Sequence, residues 1–518
     1  MSHLKNNNEQ NVSVKYRKRL KLWIPGHPFA ATCILFVLIK LLYLFIGYYR
    51  DLNVQSYEGL ARLLHAYNFS GFSPLEMDIP WLPLPSILQS LFYIPDIFPW
   101  FMGSLYQTVI STAAGIFAAL LAREIADGDW KAGVLTLAAI TASADLSILG
   151  ISYLSEPLYQ LEILAILYFA LLWMKDGRLK WKRLTGYFLL ALLLTRYEGW
   201  ILAAIWFLIL LTAVKDSRKK GIWKEYKGLW QVKWLDFIYL ALFIIAVPGI
   251  WMLINQALRN DPFFFKKVTE KSFRANVIVS KINLLTFYVE FLARIWETRP
   301  TVVLIAILTL FTPTVLRSPA FIIIMTIGVL TLSNYHFIMK GSTAFSYPER
   351  LSLTPYILCC PLFGLMVSHF FTKLKNKYHH KRIFQNLLII VLVLLPVMGY
   401  MDFQSRSPVL REEFGKDMAD ILKEEFKKNP DASKPGVLIE TTDWDYSIVI
   451  FYVGMDESNI RHFNRKDGDN PMLILHKNPS IRFLLLNPTK RNIELIRKID
   501  NAELVKIGSI WNLYEIKK

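Results

Sequence analysis

The chain has 518 residues, of which 54% are hydrophobic, 14% aromatic and only 19% charged, with 59 Lys and Arg against 41 Asp and Glu. Soluble domains carry about a quarter of their residues as charges, so this balance excludes an ordinary soluble enzyme, and the apolar content excludes low-complexity disorder. Cys33, Cys359 and Cys360 all lie within apolar runs and read as buried thiols, which excludes a zinc cage or a disulfide framework.

The formal charge of +18 is carried entirely by positions 1–401, because 402–518 holds 19 basic and 19 acidic residues. Interleaved with long apolar runs, this excess is the loop bias of a membrane protein and points away from a nucleic-acid partner. Lys15, Arg17, Lys18, Arg19 and Lys21 precede the first apolar run without a small-residue cleavage site after it. They predict a cytoplasmic N-terminus and a first helix running outward.

A helix crosses a hydrocarbon layer of roughly 30 Å with about 20 apolar residues. On that measure single spans are expected at 30–49, 102–122, 132–151, 157–174, 236–257, 301–316, 319–333, 351–371 and 383–401. Residues 184–214 are too long for one helix, are flanked by basic clusters on both sides, and are interrupted by Arg196 and Glu198. Two cytoplasmic flanks require a hairpin, giving eleven spans and an outer C-terminus. From Leu184 to Thr195 a helix rises only ~18 Å, so the tip Arg196-Tyr197-Glu198 is expected at membrane depth.

The outer segments on this reading are 50–101, 258–300 and 334–350, with everything after 402. Leu410, Phe414, Met418, Leu422 and Phe426 recur at helical spacing. Strand-like runs follow at Gly436–Glu440, Arg482–Asn487, Leu504–Ile507 and Trp511–Ile516, with a helix around Asn492–Ile499. The expected architecture is a polytopic α-helical membrane domain, 1–401, followed by an extracytoplasmic soluble α/β domain, 402–518. That domain has no Gly-rich phosphate loop.

Chemistry-bearing residues cluster on the outer side. Asp51 follows the first span directly, and Glu58, Arg62 and Asp78 continue that loop toward the Pro-rich Trp81–Pro85. A carboxylate held at the surface suits a general base for an acceptor hydroxyl; it equally suits a cap for the short helix carrying Glu58 and Arg62. Glu156, in Ser155-Glu156-Pro157, suits either a sugar hydroxyl or the dipole of the helix it opens. Glu162 lies deeper in that helix, and Lys40 lies mid-span in the first. Arg196 is a permanent cation at depth, suited to a lipid phosphate or to neutralisation by Glu198, the latter needing a turn at the tip. His336, Lys340 and Arg350 suit a phosphate or lipid headgroups. Phe263, Phe264 and Phe265 with Lys266, Lys267, Lys271 and Arg274 form an interfacial segment, a lipid-chain guide or an anchor.

In this order the pieces resemble the GT-C superfamily of integral membrane glycosyltransferases, particularly the dolichyl-phosphate-mannose:protein mannosyltransferases and the bacterial lipid A aminoarabinose transferases. The matching residues are Asp51, Trp81-Leu82-Pro83-Leu84, Ser155-Glu156-Pro157, Thr195-Arg196-Tyr197-Glu198-Gly199 and Glu349-Arg350-Leu351-Ser352-Leu353-Thr354-Pro355. The resemblance implies a GT-C-like fold and a polyprenyl-phosphate sugar donor. It implies inverting transfer to a protein, lipid or glycan acceptor at the outer face, with Asp51 as base and the phosphate held by Arg196, Arg350 and His336. Where many relatives have an acidic pair, here Leu52 follows Asp51 and the next carboxylate is Glu58, so Asp51, Glu58 and Asp78 all stand as bases. No cofactor is implied, and a divalent metal stays open. The alternative from another class is a transporter or flippase of an anionic lipid or glycan, whose pathway Arg196, Glu162 and Lys40 would line. A membrane scaffold is the third.

Overall fold

The computed structural model describes residues 27–54, 82–93, 99–218, 226–267, 299–309, 320–339, 348–378, 381–407, 420–424, 436–440, 460–463, 469–499, 501–508 and 511–517, with single residues and pairs between them. The helices in chain order are α1 (Pro28–Tyr49), α2 (Leu84–Ser90), α3 (Pro99–Ile125), α4 (Trp130–Thr141), α5 (Ala144–Leu149), α6 (Glu156–Asp176) and α7 (Leu179–Thr195). They continue with α8 (Glu198–Arg218), α9 (Lys227–Trp230), α10 (Trp234–Arg259), α11 (Pro300–Leu308), α12 (Ala320–Met339), α13 (Pro348–Tyr378) and α14 (Lys381–Ser405). Among the described residues seven helices are long and apolar enough to cross a membrane: α1, α3, α6, α8, α10, α13 and α14. The chain is a polytopic integral membrane protein.

Within the described residues each expected span has a helix at its position, that at 301–316 being described only as far as Leu308, and there are two differences. The run 132–151 is two helices: Ser143 is in an extended conformation, and its hydroxyl accepts the Leu146 N–H at 3.1 Å and caps a new helix, α5. The first arm of the hairpin begins at Leu179, not Leu184, so its 17 residues rise about 25 Å. Lys182 is accommodated at its start by an ion pair with Asp236 on α10, at 2.5 Å. The hairpin tip is therefore farther from that start than the 18 Å expected.

α6 is the central helix: nearly all of it, from Glu156 to Met174, is buried. α10 buries only Phe237, Val247 and Asn255 and presents the rest outward. Between membrane helices small residues permit close backbone approach. A Cβ on Gly399 of α14 would overlap the Thr141 carbonyl and the Ala142 backbone at the end of α4. Gly399→Val is accordingly expected to push α14 off α4 and lower the thermal midpoint of the solubilised protein. Gly249→Val, where a Cβ meets nothing within 4 Å, is the matched control and should leave it unchanged.

The tail forms a five-stranded sheet from β1 (Gly436–Glu440), β2 (Ile460–Phe463), β3 (Ile481–Leu486), β4 (Ala502–Ile507) and β5 (Asn512–Ile516), in the order β2-β1-β3-β5-β4. β1 runs parallel to β2 and β3, and β5 antiparallel to β3 and β4. Two short helices, α15 (Pro471–Lys477) and α16 (Lys490–Ile496), complete it. β1, interior to the sheet and buried throughout, reads as the apolar run Val437-Leu438-Ile439 that a parallel strand requires. β2 and α15 were not predicted: Ile460-Arg461-His462-Phe463 is a four-residue edge strand with too few alternations to show a period. Of the helical pattern expected from Leu410 to Phe426, only Met418 and 420–424 are described, and they are helical.

The sheet is seated on the bundle. One apolar cluster contains Val54, Leu63, Tyr93 and Tyr153 together with Val437, Ile439, Phe483, Trp511 and Leu513. α14 runs past Asp402 to Ser405. Asp402 accepts from Arg299 at 3.1 Å, and Arg406 pairs with Asp145 at 2.9 Å. The junction with the tail is thus tied to α5 and to the start of α11.

Candidate active site

Asp51 occupies the first residue after the C-cap of α1, with φ +58°. Its N–H donates to the Tyr48 carbonyl at 3.1 Å, and the Leu52 N–H donates to the Gly47 carbonyl at 2.8 Å. This pair of bonds is a Schellman motif, whose left-handed position is usually glycine because a Cβ is disfavoured there. An aspartate tolerates that conformation better than most residues, yet at a cost. The structure thus shows Asp51 ending α1; Glu58, on the short helix that Asp51 was expected to cap, lies outside the described residues.

The flanks of Asp51 are tied down. Arg50 donates to the Gln404 side-chain oxygen at 3.0 Å and to the Arg406 carbonyl at 2.7 Å, joining the turn to the end of α14. Asn53 is buried and donates to the Ser104 hydroxyl at 3.1 Å and to the Tyr153 hydroxyl. Tyr153 in turn donates to the Trp100 carbonyl. Burial raises the Tyr153 phenol well above its ordinary value, so it stays neutral in this network.

The second feature is the hairpin tip. Arg196 caps α7 in an extended conformation, and α8 begins at Glu198, so the connection is two residues. Gly199 permits it: a Cβ there would lie 2.6 Å from the Leu192 carbonyl oxygen. The turn lets residues two apart face each other. The Arg196 fork donates Nη2 to Glu198 Oε1 at 2.8 Å and Nε to Glu198 Oε2 at 3.2 Å. Nη1 donates to Glu156 Oε1 at 2.7 Å and to the Ser155 hydroxyl at 3.2 Å. The guanidinium also lies over the Tyr159 ring, 5.7 Å from its centroid.

Three residues singled out in the sequence are therefore one cluster, Glu156–Arg196–Glu198. Its two carboxylates outnumber its one cation, so the arginine is held ready but is not a bare positive site. Glu162, one and a half turns deeper, accepts the Thr195 hydroxyl at 2.7 Å, which fixes the residue before Arg196. Beyond the tip, Asp261–Lys267 packs onto the protein: Phe265 is buried and stacks on Tyr197 with centroids 4.6 Å apart, while Phe263 stays exposed. Hydrogen bonds from Lys267 and the Phe263 N–H hold the Asp261 carboxyl below its ordinary range.

The other expected residues are only partly placed. His336 is on α12 and Arg350 on the first turn of α13, but their side chains, with Lys340, Glu58 and Asp78, lie outside the described residues. Lys40 is buried in α1 with its ammonium 5.8 Å from the centre of the Phe36 ring. Two residues named in the sequence without a role, Arg62 and Tyr197, meet near the tip. Arg62 is buried and close enough to Tyr197 for its charge to act on it, and the Tyr197 hydroxyl accepts from Trp251 at 3.2 Å. Arg62 could have been found as a lone cation among Leu60, Leu63 and Ala66, all buried. Among the described residues no three His, Cys, Asp or Glu side chains gather as a metal site.

The sequence matches no protein-family model and no curated protein. The structure does match solved ones. It is similar to ArnT from Cupriavidus metallidurans bound to undecaprenyl phosphate, with TM-score 0.60 and 13% identity over 93% of this chain and 98% of that one. It is similar to the same protein in the apo state, with TM-score 0.58 and 12% identity over 93% and 97%. The chain thus has the fold of ArnT along nearly its whole length.

Proposed function

We propose that the protein is a membrane glycosyltransferase that moves a sugar from a polyprenyl-phosphate donor to an acceptor hydroxyl at the outer face of the membrane. The observation that carries this reading is Asp51, in the turn that ends α1. It stands at the same end of the bundle as the buried Arg196 cluster, in a chain whose fold over 93% of its length is that of ArnT.

In the reaction Asp51 takes the proton of the acceptor hydroxyl, and the oxygen attacks the anomeric carbon. A new carbon–oxygen bond forms on the face opposite the phosphate, and the old one breaks, its electron pair leaving with polyprenyl phosphate. One carboxylate serves because phosphate is already a good leaving group, unlike the alkoxide of most glycosidase substrates. Arg196, by exchanging one of its carboxylates for phosphate, and Arg62 stabilise the leaving charge, with Arg350 and His336 as the family resemblance implies. The N-terminus lies in the cytoplasm and the sheet outside.

The test is transfer by the protein in proteoliposomes from a panel of radiolabelled polyprenyl-phosphate sugars. Consumption of a donor with release of polyprenyl phosphate is the expected result. Failure to bind or turn over any donor, with passage of an anionic lipid between leaflets instead, would replace the transferase by a transporter.

A further inference from the structure

Beneath the Arg196 cluster lie three buried polar side chains that the mechanism above leaves unused. Tyr106 on α3 and Tyr159 and Glu162 on α6 are 2%, 3% and 1% exposed. The hydroxyls of both tyrosines and Glu162 Oε2 have no hydrogen-bond partner among the described residues. Glu162 is close enough to both tyrosines to act on them electrostatically.

Buried polar groups are paired in the great majority of cases, and each exception costs free energy comparable to a lost hydrogen bond. Three exceptions in one neighbourhood are a set of donors and acceptors on two helices, α3 and α6, that pack side by side. Two hydroxyls can each donate or accept, and a carboxyl oxygen can accept. That set complements the hydroxyls of a sugar, each of which both donates and accepts.

Position supplies the second argument. Glu156, Tyr159 and Glu162 are spaced three apart, so they follow one face of α6 inward from its start. Glu156 holds Arg196, Tyr159 lies under the guanidinium, and Glu162 holds Thr195. In a polyprenyl-phosphate sugar the ring is bonded directly to the phosphate. A phosphate held at Arg196 leaves the ring adjacent to this face.

We propose that Tyr106, Tyr159 and Glu162 form a polar recess that binds the hydroxyl groups of the donor sugar and selects among donors. The proposal rests on the transferase reading and adds to it the side chains that recognise the sugar.

The test uses the full-length protein in nanodiscs, with Tyr106→Phe, Tyr159→Phe and Glu162→Gln. The probes are undecaprenyl phosphate and its glucosyl, mannosyl and arabinosyl esters. Each Tyr→Phe change is expected to weaken the preferred sugar ester about tenfold, the loss of roughly one buried hydrogen bond, and to leave undecaprenyl phosphate within about twofold. The same changes remove an orphaned hydroxyl, so the unliganded protein should be as stable as the parent or more so.

A recess holding only solvent would reverse this pattern: the unliganded variants lose stability and the order of the esters stays unchanged, which overturns the proposal. So does a parent that binds undecaprenyl phosphate but no sugar ester more tightly, while the phosphate-binding part of the transferase reading stands. A parent that binds neither overturns both. Should a tyrosine variant fail to accumulate, Glu162→Gln carries the same comparison, because it keeps the shape of the side chain.

Discussion

Asp51→Asn is expected to abolish measurable sugar transfer while the protein folds, inserts and binds polyprenyl phosphate as before. Asparagine tolerates the left-handed conformation observed at φ +58° and keeps the shape of the side chain, so the Schellman bonds at Tyr48 and Gly47 survive. Only the base is removed, and loss of a positioned general base costs about 10²–10⁴ in rate. Asp51→Gly sharpens the result, because the two effects have opposite signs. Glycine relieves the backbone, so stability should stay level or rise by up to about 1 kcal/mol, while transfer is lost as in Asp51→Asn. Asp51→Ala should lose both, with a backbone cost of about 1–2 kcal/mol. Initial transfer rates and thermal midpoints, measured on the three variants together, separate chemistry from strain. Transfer surviving in Asp51→Asn would move the base to another carboxylate, Glu58 first.

Arg196→Ala is expected to be the most destabilising single change at the site. The guanidinium is 16% exposed and its partners Glu156 and Glu198 are 4% and 12% exposed, so removing it leaves two carboxylates facing each other away from water. Breaking a buried pair from one side costs about 3–5 kcal/mol, because the stranded charge keeps its desolvation penalty. The sign reverses when the carboxylates are neutralised too: Arg196→Ala combined with Glu156→Gln and Glu198→Gln should recover much of the lost stability. It should not recover affinity for undecaprenyl phosphate, since no cation has been restored. Arg196→Lys keeps a charge without the planar fork that contacts both Glu198 oxygens, and should fall between the two. Thermal midpoints and phosphate-lipid binding across the series check this. A loss below about 1 kcal/mol in the single variant would mean the cluster is open to solvent, where ion pairs contribute little.

The helices were legible because apolar length and flanking charge are local properties of the chain. The hairpin at Arg196 is the clearest case: a run of the wrong length for one or two ordinary spans, basic at both ends, could fold only as two helices with a tip near Arg196. The break at Ala142-Ser143 was not legible, because a single serine within an apolar run rarely ends a helix; here its hydroxyl captures the Leu146 N–H only where the chain turns. In the tail, β1 and β3 were plain from their apolar runs, whereas the edge strand β2 was too short to show a pattern.

The candidate site divides along the same line. Arg196, Glu156, Glu198 and Asp51 could be picked out as charges next to apolar runs, but not which of them meet. Glu156 and Arg196 are 40 residues apart and join only because α6 and α7 pack side by side. Tyr106 and Tyr159 carried no sequence signal, since a tyrosine beside apolar residues is ordinary in a membrane protein.

The amino-acid sequence by itself determined that the chain is a membrane protein, where its helices lie, that an α/β tail follows, and which charges sit at the helix ends. Only the tertiary structure decided which helices are interior and which charges are partners. α10 is more apolar than α6, yet α6 is at the centre and α10 faces outward. In water hydrophobicity marks the inside of a protein. In a bilayer the surroundings are as apolar as the core, so helix position is set by close packing and by pairing of buried polar groups, both of which depend on residues far apart in the chain.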